Sequence, residues 1–136
     1  MAIAFPVERT LTQIDHLRLT RLLRQQPEHG GARAMRELLE CSDLVPSSAV
    51  DPTTVTMYSQ VLLDDGTHAP SKLTVCYPEH AEPGAGFVSV LSPVGTSVLG
   101  LRVGETARWR TPTGQEGAAR IAAVLFQPEA SGDYEP

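Results

Sequence analysis

The hydrophobic period of this chain changes once, and a proline- and serine-rich stretch marks the place. Before residue 44 the apolar residues recur at helical spacing; after residue 53 they alternate. A period of 3.6 builds helices with one buried stripe, and a period of 2 builds half-buried strands. A chain that keeps the two periods in separate parts folds as α+β, with helices and sheet segregated. The segment between them, LVPSSAVDPT over 44–53, reads as a linker. The chain therefore divides into a helical unit, residues 1–50, and a sheet unit, residues 51–136. At 136 residues the whole can bury a core without disulfide or metal staples.

In the helical unit, Thr10 or Thr12 can cap a helix, with Asp15 as an acidic capping-box partner. Leu11, Ile14, Leu17 and Leu22, with Leu19 and Leu23 beside them, predict its buried stripe. Arg18, Arg21 and Arg24 fall three apart on another strip, as a solvated face paired with Asp15 and Glu28 or as a contact surface. Pro27 ends this helix. A second helix is predicted from Ala32 to Cys41, with Met35, Leu38 and Leu39 apolar. Two such helices joined by a short loop make an antiparallel hairpin.

In the sheet unit, strands are predicted over 54–63, 73–77, 87–91, 105–110 and 118–126, with turns at Asp64-Asp65-Gly66, 82–86 and 112–114. Short loops predict an antiparallel sheet. Residues 92–104 break the pattern. Ser92 can cap a helix and Pro93 suits its first position. Val94, Val98 and Leu101 would then face the sheet, and Gly100 or Gly104 would take the left-handed residue that ends the helix. Alternation puts Trp109 on the core face and Arg108 and Arg110 outside. The polar tail from Pro128 is expected to be loose.

Several functions are disfavoured by composition and pattern. The net charge of −5 falls entirely on residues 51–136, so no basic footprint for duplex nucleic acid exists. Cys41 and Cys76 each sit in an apolar segment outside any CxxC and are expected as reduced core thiols. No signal peptide or membrane span is evident, which predicts a cytoplasmic protein. His16, His29, His68 and His80 lack metal-ligand spacing. Gly84 and Gly86 lack the helix of a dinucleotide fingerprint. No nucleophilic triad has a signature. The residues call for no metal and no cofactor.

The motifs SVLSPVGTSVLGLRVGE and WRTPTG resemble the C-terminal domain of the bacterial Gre transcript-cleavage factors. The matching positions are Ser92-Pro93, Leu99-Gly100, Val103-Gly104-Glu105 and Pro112-Thr113-Gly114, within residues 54–127. VTMYSQV (55–61), TVCYP (74–78) and FQPEASGDY (126–134) extend the likeness to a short-armed branch of that family. The resemblance implies an FKBP-like sheet domain carrying a coiled-coil arm. It also implies RNA polymerase as partner, at the rim of the secondary channel, with Leu91, Ser92 and Pro93 at the contact and Arg18, Arg21 and Arg24 as arm contacts. No membrane partner is implied, and a monomer is expected.

Family members that cleave RNA hold Mg²⁺ with acids at the arm's tip and carry an acid before Ser-Pro. A carboxylate pair is needed because Mg²⁺ takes hard oxygen ligands. Here the tip, Gln25–Gly31, offers Glu28 alone, the first helix spans about 22 Å, and Leu91 replaces the acid. The expectation is a non-catalytic regulator, not an enzyme, with an active cleavage factor as the alternative. FKBP-like domains also include prolyl isomerases, which need an aromatic-walled pocket. This chain has three Phe, three Tyr and one Trp to build one.

Overall fold

A computed structural model describes residues 8–27 and 30–132. The expectations for Glu28, His29 and the last tail residues lie outside the described residues.

Helix α1 (Gln13–Gln25) begins where Thr12 Oγ1 accepts the Asp15 amide at 3.0 Å. It ends at Gln26, whose extended backbone is the one that Pro27 favours. Helix α2 (Gly30–Cys41) packs against it. The buried stripe of α1 is rotated from the predicted one. Leu11, Asp15, Leu19 and Leu23, four apart, are buried, while Leu17 is half exposed and Ile14 and Leu22 are partly covered. An acid therefore occupies a core position, and counting apolar residues alone placed the stripe one step round. Ala32, Met35, Leu38 and Leu39 complete the hairpin's inner face.

The start of the expected linker is a strand. Strand β1 (Thr10–Thr12) and strand β2 (Asp43–Val45) pair in parallel and tie together the two ends of the hairpin. Both are three residues long, too short for alternation to reveal.

The main sheet comprises β3 (Gln60–Asp64), β4 (Ser71–Cys76), β5 (Phe87–Ser89), β6 (Thr106–Arg110) and β7 (Glu116–Phe126), in the order β5-β4-β3-β7-β6. It is antiparallel except for β4–β5, which is parallel, contrary to the uniform pattern expected. The link between those two strands carries two 3₁₀ turns, Pro78–His80 and Pro83–Ala85, and is long enough to bring the chain back in the same direction. The strand expected over 54–63 starts only at Gln60. Residues 54–59 form a buried hub instead: Thr54 bridges Arg102, the Val55 amide bonds the Leu101 carbonyl at 2.8 Å, and Tyr58 turns to φ +64°.

Helix α3 (Pro93–Val98) is capped as expected, with the Gly95 amide 3.1 Å from Ser92 Oγ. Val98 and Leu101 are buried and Val94 packs on the core, while Gly100 and Gly104 both take positive φ. A side chain at Gly95 would place Cβ 2.0 Å from the Ser89 carbonyl oxygen, so only glycine lets α3 lie this close to the end of β5.

Hairpin and sheet contribute to one apolar cluster running from Leu19, Met35 and Leu38 to Met57, Val61, Val75, Leu101 and Ile121. Two expectations fail at its edges. Cys76 is buried, but Cys41 is exposed at the end of α2. The tail is anchored through residue 129, with Gln127, Pro128 and Glu129 buried. Gln127 Nε2 donates to the Asp51 and Thr54 carbonyls, each at 2.8 Å, and Glu129 accepts from Thr56 Oγ1 at 2.7 Å. Polar tail residues are held here because the hub they meet carries backbone groups that need partners.

Candidate docking groove

Ser92 and Pro93 open onto a groove of about 790 Å³ running across the sheet from the start of α3. Its apolar wall includes Leu73, Val88, Val94 and Trp109. Trp109 sits on the core side of β6 between exposed Arg108 and Arg110, as alternation requires. It also lines the groove, a role the alternation did not reveal. Opposite it in register on β7 is Gly117. A Cβ there would fall 2.3 Å from the indole, so the missing side chain is the space the ring occupies. The rim is polar: Asp65, His68 and Lys72. Asp65 accepts from the Thr67 and His68 amides and from the His68 ring, and those bonds hold its carboxyl well below the usual range.

The three residues expected at the contact separate. Ser92 and Pro93 line the groove, Pro93 being exposed. Leu91 is partly buried and packs on the core, its amide donating to Ser89 Oγ at 3.1 Å. The arginine strip also separates. Arg18 and Arg21 line a cleft against Tyr77, and Arg24 lines the groove between α1 and α2 with Arg36 and Glu40. Residues 18 and 24 are six apart, or about 240° around a helix, so a strip with this spacing wraps round α1.

The hairpin is fixed to this domain by two buried ionisable side chains, Arg9 and Asp15. Arg9 Nη1 donates to the Leu99 carbonyl at 2.8 Å and the Thr96 carbonyl at 3.3 Å, closing the C-terminal end of α3. Burial lowers its pKa to about 10 against the opposing pull of Glu105, so it stays charged at neutral pH. Asp15 Oδ2 accepts the Met57 amide at 3.1 Å. Burial raises its pKa to about 7, with nearby Glu129 adding to the rise and the Met57, Arg18 and Thr12 interactions opposing it. Neither role shows in local sequence, because the partners lie 90 and 42 residues away.

Among the described residues no group of three or more His, Cys, Asp or Glu could hold a metal ion. No described helix is long and apolar enough to cross a membrane. The groove joins an apolar wall to the capped start of α3.

Residues 50–126 match the family described as "Transcription elongation factor, GreA/GreB, C-term". The chain is 30% identical over 128 residues to the "Regulator of nucleoside diphosphate kinase" of Escherichia coli (strain K12), covering 91% of this chain and 93% of that protein. It is 36% identical over 62 residues to transcription elongation factor GreA of Solidesulfovibrio magneticus, covering 46% of this chain and 38% of that one. A solved GreA/GreB elongation factor from Nitrosomonas europaea superposes with a TM-score of 0.73 at 29% identity, over 88% of this chain and 99% of that one. A helical hairpin on a Gre-type sheet domain, matched along nearly its full length, makes this chain a member of the GreA/GreB family.

Proposed function

We propose that the protein is a non-catalytic transcription regulator that binds RNA polymerase near the secondary channel and competes there with cleaving Gre factors. The observation that carries this reading is a Gre-type domain joined to an arm of two short helices. The groove beside Ser92 and Pro93 is open, while α1 has 13 residues, about 20 Å at 1.5 Å per residue. Residues 51–136 act as the docking unit and residues 1–50 as the arm, working as a monomer in the cytoplasm. Ser92 and Pro93 meet the polymerase directly, Leu91 supports them from beneath, and the exposed Arg21 and Arg24, with Arg18 beside them, supply arm contacts. The relative named as a regulator of nucleoside diphosphate kinase extends the proposal: control of that kinase is the downstream result of this binding.

The test is a pull-down with purified core polymerase, followed by a cleavage assay on backtracked complexes. Binding that a cleaving Gre factor displaces, with no Mg²⁺-dependent RNA cleavage above background, is the expected result. Robust cleavage abolished by Glu28→Ala would establish the cleavage-factor alternative. Absence of any polymerase binding would overturn both.

A further inference from the structure

Between α1 and the turn after β4 lies a second cleft, of about 370 Å³, separate from the groove beside Ser92 and Pro93. Arg18, Arg21 and Gln25 form one wall; Tyr77, Pro78 and Glu79 form the other. Arg18 and Arg21 are three apart, one helical turn, and so reach the same space. Glu79 is the one acid among the lining residues, and the buried Asp15 lies close enough to Arg18 to interact with its charge. Guanidinium forks recognise phosphate oxygens in pairs, which a lysine cannot do.

The opposite wall is built to stay in place. Tyr77 meets Tyr58 edge to face, with ring centroids 5.6 Å apart, and the Tyr58 hydroxyl is hydrogen-bonded to His80 Nδ1. Tyr58 holds its position at φ +64°, the one non-glycine residue with positive φ among the described residues. Such strain persists where surrounding structure enforces it, and it gathers at functional sites. Burial, with the Asp15 carboxylate adding to it and Arg18 opposing, pushes the Tyr77 hydroxyl up to about 12. The hydroxyl oxygen itself is buried, which leaves the ring to line the cleft.

We propose that this cleft binds a phosphate-bearing small molecule, its phosphates held between Arg18 and Arg21 and its remaining part against Tyr77. The volume falls in the range of ligand pockets, roughly 300–1,000 Å³, and admits a phosphate chain with or without a nucleoside. Arg18 and Arg21 are also among the arm contacts proposed above, so ligand binding and polymerase binding of the variants below are read separately.

The experiment titrates the full-length protein with inorganic pyrophosphate, with ADP and with citrate at constant ionic strength, following arginine Nε–H and tyrosine ring NMR signals. The expected result is a saturable shift at Arg18, Arg21 and Tyr77 with pyrophosphate or ADP. Tighter binding of ADP identifies a nucleotide, and equal binding identifies a bare phosphate chain; either supports the cleft. Arg21→Gln, at an exposed position that leaves the melting temperature unchanged, weakens binding by roughly tenfold, and Arg24→Gln leaves it as it was. No saturable shift at millimolar ligand, equal affinity in Arg21→Gln, or citrate binding as well as the phosphates would each overturn the proposal.

Discussion

Asp15 of α1 accepts the backbone amide of Met57 at 3.1 Å across 42 residues of sequence, and both residues are buried. This bond joins the arm to the hub that precedes the sheet. The acid that makes it is held at a pKa of about 7, chiefly by burial.

The consequence is a stability that falls as pH rises. An unfolded aspartate titrates near 3.9, and the folded one near 7. Between these values the native state binds more protons than the unfolded state, so the favourable contribution is complete below about pH 4 and is lost by about pH 7. Three units correspond to at most about 4 kcal/mol, shared with the interaction with Glu129. Asp15→Asn keeps an oxygen acceptor for Met57 and removes the charge. Thermal melts from pH 5 to pH 8 should show a gap between Asp15→Asn and wild type that grows in the variant's favour as pH rises. A gap independent of pH would mean that Asp15 is not the group titrating.

The anchored tail gives a second test. Gln127 Nε2 satisfies the Asp51 and Thr54 carbonyls, and Thr54 is buried. Gln127→Ala strands that buried acceptor, at about 1–3 kcal/mol. Removal of residues 127–136 should lower the denaturant midpoint further, because Glu129 is lost with it. A truncated chain as stable as the full one would show that the tail does not hold the hub.

Trp109 and Gly117 make a third. Gly117→Ala would drive Cβ into the indole, which must then move toward the groove. Overpacking of this kind costs about 1–3 kcal/mol. Trp109 is the chain's one tryptophan, so its emission reports the groove directly. The expected result is a red-shifted emission with a lowered melting temperature, and unchanged emission would place the ring elsewhere.

What the sequence made legible was what depends on neighbours in the chain. Thr12 and Ser92 were readable as caps because the amides they accept lie three residues on. Trp109 was readable as inward-facing because strand alternation is local. Residues 54–59 misled, since Thr, Val and Tyr favour a strand, yet their backbone is claimed by Asp15, Leu101 and Val75 from distant segments. The split of Leu91 from Ser92 and Pro93 was hidden for the same reason. Which way a residue turns just before a helix depends on the packing beneath it, and Leu91 meets the core there.

That last point decides how the docking surface is to be tested. Taken as an outward-facing residue before the cap, Leu91 would tolerate Arg. Because it packs on the core instead, Leu91→Arg should destabilise the domain, and its loss of polymerase binding would say nothing about contact. Ser92→Ala is also ambiguous, since it removes the bond to the Gly95 amide at about 1 kcal/mol. Pro93 is the position that separates the two effects. It is exposed, it lines the groove, and as the first residue of α3 it offers no amide whose loss would matter. Pro93→Glu places an acid where the helix dipole welcomes one, so the melting temperature should hold or rise slightly. It also puts a charge at the mouth of an apolar groove. Binding to core polymerase should weaken by roughly tenfold or more, as a charge desolvated without a partner costs at least 1–2 kcal/mol. Equal binding by a folded Pro93→Glu protein would move the polymerase contact away from this groove.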